Sequence, residues 1–345
     1  MKGQRGRLVI GVLLAFALLG LFFRGMDWSA LGQALRDARP VPLAGVILVT
    51  IAVYAARAWR WGDLLLPLGR VRYPDLFSAT MVGFASGLLV PRAGELLRPW
   101  LVSRRYPIPT SAGFATIILE RLVDLVTVLA LFALYLFVLP APAAQVEGRL
   151  TELLKLGGAA TGAVALGVLV FLLALHANAD RVVGFAERLL ARAPRWLAEP
   201  LGRMLHAFSE GLAVLRAPIS HLAKIGLQSL AVWLLIALGF HLNHIAFRID
   251  LPFHATFLLI AFLVVGVAIP TPGMVGGFHA FYLIALSEVY GIDRATAAAA
   301  GIAAHALTNL PILVFGLALL GREGFSLGRV AEVTQDEQKL QEVRP

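Results

Sequence analysis

The sequence predicts an all-α integral membrane protein with about six full spans and two re-entrant hairpins that enter from opposite sides, an inverted-repeat, transporter-like arrangement. Three observations lead there. Apolar residues make up 59% of the 345-residue chain and charged residues only 15%, and the mean hydropathy is +0.80, well outside the range of ordinary soluble domains. Most of the apolar material comes in runs long enough to cross a bilayer core of about 30 Å. Two stretches, 83–126 and 268–279, break that pattern with proline, glycine and, in the first, charge.

Other classes fall away on composition. Thirty Lys and Arg against 21 Asp and Glu give a formal net charge of +9, but the cations flank apolar runs instead of forming a face, so they describe membrane topology and not a nucleic-acid surface. With no cysteine, disulfides, thiolate metal sites and thiol catalysis are excluded.

Taken in order, the basic N-terminus and the apolar run Leu8 to Phe23 are followed by Arg24-Gly25-Met26-Asp27-Trp28 without a small-x-small cleavage site. That reads as a retained first span. A second span runs from about Leu43 to Arg57 or a turn beyond, entered through Pro40 and Pro42 and left through Arg57, Arg60, Arg70 and Arg72. Leu76 to Val90 is too short for a full crossing and contains Gly83, Ser86 and Gly87, which suits the first re-entrant hairpin. Residues 112–139 form a long span, 140–155 a small polar loop, and 156–175 cross back. The segment 176–218 has helical periodicity with six arginines on a polar face, the pattern of an amphipathic insert lying on anionic headgroups. His221 to Phe247 is a further span, Phe257 to Ile269 the second short segment, Phe278 to Tyr290 its return, and Ala295 to Leu320 the last crossing. Residues 1–321 are then one membrane domain with halves at 1–139 and 156–321, and 322–345 a polar tail.

With the N-terminus inside, 22 of the 30 cations fall on the inner side, seven outside, and Arg121 within the membrane. The positive-inside rule is satisfied, and both termini are expected in the cytoplasm. Oppositely entering broken helices point to a binding site near the midplane.

The residues able to carry chemistry cluster at the breaks. Pro91, Arg92, Gly94, Glu95 and Arg98 must be sheltered by protein or line a wet cavity, because lipid solvates neither a freed carbonyl nor a guanidinium. Arg92, Glu95 and Arg98 are spaced three apart along a half-helix that begins at depth, where free N–H groups and two guanidiniums suit a phosphate. The plainer alternative makes them surface residues meeting headgroups. Glu120, Arg121 and Asp124 fall about ten residues into an apolar helix, roughly 15 Å deep. An isolated charge there costs ~2.5–3.5 kcal/mol, so the carboxylates, four apart on one face, need compensation. The alternative to a transport role is a neutral network with Arg57, Arg60 or Arg121 that fixes packing. His305 and Asn309 mirror that depth on the last span, His279 follows Gly276-Gly277, and Thr271, Pro272, Gly273, Gly276 and Gly277 favour a backbone-lined cavity. No histidine spacing suits a metal, and none is expected.

Pro91-x-x-Gly94-Glu95-x-x-Arg98, Glu120-Arg121-x-x-Asp124 and Pro270-x-Pro272-Gly273-x-x-Gly276-Gly277, in that order, resemble the flippase-like family whose best-known member is the membrane part of lysylphosphatidylglycerol synthase. The resemblance runs to about residue 321. It implies a protein that binds or moves a phospholipid or polyprenyl-phosphate lipid, with the motif residues around the lipid path. The synthase's soluble aminoacyl-transfer domain has no counterpart up to Pro345, so lipid lysylation is not expected. The expectation is therefore a flippase for a phosphate-bearing lipid in a bacterial inner membrane. Arg92 and Arg98 take the phosphate, Glu95, Glu120, Arg121 and Asp124 neutralise the path, and His279, His305 and Asn309 line the outer half. No enzymatic activity and no cofactor are expected; the partners are membrane lipids and not nucleic acid, with homo-oligomerisation left open. The alternatives are a lipid phosphatase using Glu120 and Asp124, and a non-transporting scaffold.

Overall fold

The computed structural model describes residues 2–89, 93–139, 212–269 and 271–322, with four single positions between 163 and 170. The expected loop at 140–155, most of the span at 156–175, most of the insert at 176–218 and the tail from 323 lie outside the described residues, as do Pro91, Arg92 and Pro270. Among the described residues all regular structure is helical.

Helix α1 (Lys2–Phe23) ends at Gly25, whose φ of +68° lets the chain turn through 90° into α2 (Trp28–Arg36). Asp27 caps α2 by accepting from the Ser29 and Ala30 N–H groups at 2.9 and 3.0 Å. Helix α3 (Pro40–Leu65) opens on a proline, where the missing N–H has no intrahelical use. It runs to Leu65, past the limit of Arg57 or one turn beyond expected from sequence. Arg57 and Arg60 lie inside the helix, 7% and 0% exposed, because carboxylates on another helix face them and the helix has no reason to leave the bilayer there.

Helices α4 (Tyr73–Leu89) and α5 (Ala93–Ser103) fold back on each other, and α6 (Thr110–Phe137) follows. After the gap come α7 (Ile219–Ala246), α8 (Ala255–Ala268), α9 (Gly277–Leu283), which continues as a π turn over Ile284–Val289, and α10 (Arg294–Arg322). Helices α3, α7 and α10 are long and apolar enough to cross a membrane, and α1 with α2 make a fourth candidate if the bent pair is one span. Helix α6 has 28 residues, but every eighteen-residue stretch of it contains Glu120, Arg121 and Asp124. Phe16, Leu48, Leu227, Val265, Leu310, Val314 and Phe315 are at least half exposed. In water such an outer face would be an association hazard; around a bilayer-spanning bundle it is the lipid contact. The protein is a multi-pass membrane protein.

The order long helix, folded-back pair, long helix occurs twice, as α3–α6 and as α7–α10. The packing repeats with it. Exchanging the two sets maps α4–α5 onto α8–α9, α5–α6 onto α9–α10, α3–α4 onto α7–α8 and α3–α6 onto α7–α10, and every one of these pairs is in contact. Contacts between the sets come in matched pairs too: α10 packs on α4 as α6 packs on α8, and α10 on α3 as α6 on α7. The α3–α7 contact maps onto itself.

Each folded-back pair is closed by two glycines eleven positions apart, Gly83 with Gly94 and Gly266 with Gly277. A Cβ on Gly94 would run into the Gly83 carbonyl, one on Gly83 into the Arg98 stem, and one on Gly277 into the Gly266 carbonyl. Only hydrogen fits where two backbones approach this closely, as in other tight helix contacts within membranes. The turn between α8 and α9 reaches the end of α4, where Gly273 stands beside the Leu88 carbonyl.

Candidate functional site

Four guanidiniums and two carboxylates gather inside the first set of helices. Helix α6 supplies Glu120 and Asp124, one turn apart and facing the interior, 0% and 4% exposed. Helix α5 brings Arg98 against Glu120 as a two-pronged pair, Nη2 to Oε2 at 3.1 Å and Nη1 to Oε1 at 3.3 Å, with the Arg98 stem against Gly83. Helix α3 brings Arg60, whose Nη1 donates to Asp124 Oδ1 at 2.6 Å and to Ser229 Oγ at 2.9 Å, while its Nη2 lies 3.3 Å from Glu120 Oε1. Trp233 on α7 donates to the same Asp124 oxygen at 3.0 Å. These are short, directional, charge-assisted contacts, the kind that offset the desolvation of a buried ion.

The other two arginines are held more loosely. Arg57 approaches Asp124 Oδ2 at 3.6 Å and Glu120 Oε1 at 3.9 Å, and its buried Nε and Nη1 have no hydrogen-bond partner. Arg121, with 40% of its side chain exposed, lies 3.4 Å from Glu120 Oε1 and 3.7 Å from Asp124 Oδ2. The Phe84 ring on α4 sits among three of the guanidiniums, 5.3 Å from that of Arg57, 5.5 Å from Arg98 and 5.7 Å from Arg121. Trp61, whose ring lies 4.4 Å from the Arg98 guanidinium, packs with Leu64, Leu65, Val82, Leu97, Ile117 and Leu119 in one buried hydrophobic cluster.

Of the residues singled out from sequence, Arg98, Glu120, Arg121 and Asp124 come together. Glu95 is exposed and stands apart from them, although Arg98 is only three residues on. Arg92 lies outside the described residues. The compensation for the carboxylates comes mostly from other helices, through Arg60 and Arg98, and less from their neighbour Arg121. Arg57 and Arg60 entered the sequence reading only as exit cations or structural partners; their signal is the pair of arginines three apart in the otherwise apolar AARAWRW run.

His279, His305 and Asn309 belong to a second group, around the turn before α9. The His279 and His305 rings are 4.7 Å apart, His305 Nε2 meets the Gly273 carbonyl at 2.9 Å, and Asn309 donates to the His305 carbonyl of its own helix at 2.8 Å. Gly276, at φ +92°, makes the turn that leads Gly277 into α9. Nearby, fully buried Asn243 bonds the Tyr282 hydroxyl at 3.0 Å and the Ala300 carbonyl at 2.9 Å, joining α7, α9 and α10. Asn243→Leu strands both partners in the core and should cost about 1–3 kcal/mol, read as a lowered unfolding temperature in detergent. Among the described residues no group of three His, Asp or Glu side chains is arranged to hold a metal ion.

Glycosyltransferase AglD of Haloferax volcanii is 26% identical over 340 residues, covering 91% of this chain and 54% of the relative, so the chain spans about half the length of that protein. The expectation that the chain has no enzymatic role is corrected here, since a relative matched along nearly the whole chain carries the name of an enzyme. The model of the lysylphosphatidylglycerol synthase transmembrane region matches residues 8–316, and with the motifs at 94–98, 120–124 and 271–277 inside that match, the chain belongs to this family.

Proposed function

We propose that the chain carries a phosphate-bearing lipid through the bilayer and serves group-transfer chemistry performed on that lipid. The observation behind this reading is Arg57: nearly fully buried in a protein that spans a membrane, it alone of the four arginines makes no hydrogen bond among the described residues. A buried cation held only by long ion pairs and no hydrogen bond is costly, and an anionic headgroup arriving between α3 and α6 would relieve that cost. Arg57 and Arg121 hold the phosphate in this reading, while Arg60 and Arg98 hold the carboxylates in place. His279, His305 and Asn309 line the other half of the path, and Glu95 belongs to its mouth. The repeated helix order and matched contacts support a repeat of two halves, and the excess of cations on one side supports six spans, two oppositely entering hairpins and cytoplasmic termini, the geometry in which one half can rock against the other. The lipid-phosphatase alternative needs a free carboxylate, and both carboxylates here are engaged by arginines.

The test is movement of a fluorescent anionic phospholipid between leaflets of liposomes holding the purified chain. Arg57→Lys keeps the charge but loses the planar fork, so the rate should fall at least about tenfold at matched protein amounts and unchanged unfolding temperature. Wild-type rates in Arg57→Lys would refute the role of this residue. A second reading, favoured by the name of the relative, gives the chain a part in sugar transfer itself. Sugar incorporation from a nucleotide sugar into a polyprenyl phosphate, by the chain alone, would decide for it.

A further inference from the structure

The charges of the buried cluster restrict what the lipid can be. Resting on the carrier reading above, we infer that the headgroup held between Arg57 and Arg121 carries two negative charges, as a terminal phosphomonoester or a diphosphate does and a phosphodiester does not. Arginine stays protonated in proteins. Among the described residues, Arg57, Arg60, Arg98 and Arg121 therefore bring four positive charges to the two of Glu120 and Asp124, and two positive charges are left over.

The surplus has a place. Arg98 spends both prongs on Glu120, and Arg60 divides its own between Asp124, Ser229 and Glu120. Arg57 and Arg121 have no carboxylate oxygen nearer than 3.6 and 3.4 Å respectively; Arg57 makes no hydrogen bond among the described residues, and Arg121 makes one, at 3.4 Å to Glu120 Oε1. They come from different helices, α3 and α6, yet flank one ring, that of Phe84. An oxyanion beside that ring accepts from both forks at once. A phosphodiester monoanion would neutralise one of the two surplus charges and leave the other uncompensated; a zwitterionic headgroup would bring its own cation to an already cationic site.

The purified full chain in detergent at pH 8, where a phosphomonoester is dianionic, should be titrated with phosphatidic acid and with phosphatidylglycerol of identical acyl chains. Phosphatidic acid should bind at least about tenfold more tightly. Arg121→Gln should weaken phosphatidic acid binding more than phosphatidylglycerol binding and so erase most of the preference. Equal wild-type affinity for the two lipids overturns the charge inference and leaves the carrier reading standing; no binding of either overturns both. A preference undiminished in both Arg121→Gln and Arg57→Gln would place the discrimination elsewhere and overturn the assignment to this pair. Inorganic phosphate at equal concentration should bind at least about tenfold more weakly than phosphatidic acid, since it lacks the acyl chains; equal binding would make this a site for the free anion and overturn the lipid assignment.

Discussion

Glu120→Ala should destabilise the folded chain by about 3–5 kcal/mol and sharply lower its yield in membranes, because it leaves buried arginines facing a hole. All four arginines of the cluster lie within ion-pair distance of Glu120, which is 0% exposed. Removing it raises the surplus from two charges to three and takes the partner from both prongs of Arg98. The informative companion is the double change Glu120→Leu with Arg98→Met. It deletes one charge of each sign, restores the surplus to that of the native cluster, and fills the space with apolar atoms, an exchange that is often neutral for a buried pair. Unfolding temperatures of the three proteins in one detergent measure the coupling. Recovery in the double variant identifies the Arg98–Glu120 pair as a lock, and a single Glu120→Ala variant as stable as the parent would show that the carboxylate compensates nothing.

Gly94→Ala and Gly277→Ala should each cost about 1–3 kcal/mol, since one methyl group must push two helix backbones apart. The cost should be similar at the two positions, for in both the added carbon meets the carbonyl of a glycine eleven residues earlier. Gly87→Ala serves as the control. Its Cβ would meet nothing closer than the Gly94 nitrogen at 3.8 Å, and alanine is the better helix former, so that variant should match or slightly exceed the parent. Unfolding temperatures and proteolysis of all three check the ranking; an unchanged Gly94→Ala would mean that α4 and α5 do not touch there.

The helices were legible from sequence because the bilayer imposes lengths, and apolar runs bounded by Pro, Gly and Arg report those lengths directly. The short segments ahead of Ala93 and Gly277 and the long span carrying Glu120 appear within a few residues of their expected limits. What failed is instructive. Arg57 and Arg60 read as an exit, since cations usually mark where a helix leaves lipid, and the carboxylates that keep them inside lie some sixty residues further on. Periodicity carries no information about such a partner. Glu95 shares the three-residue spacing of Arg98, yet only Arg98 meets a counterion, because spacing says which residues share a side and not what that side faces. The pairing of Gly83 with Gly94 was equally hidden: each reads alone as a helix breaker, and only the packed backbones show that they belong together.

The Phe84 ring gives the cluster a property that a carboxylate in its place would remove. A ring face attracts a guanidinium by about 0.5–2 kcal/mol, enough to hold Arg57 and Arg121 in position but far less than an ion pair offers. It neither titrates nor exchanges with water. The ring thus works as a placeholder: it keeps the two cations splayed and ready, and yields without resistance to any oxyanion that arrives. A stronger resident counterion would hold the site shut, and a smaller aliphatic side chain would let the arginines collapse onto Asp124.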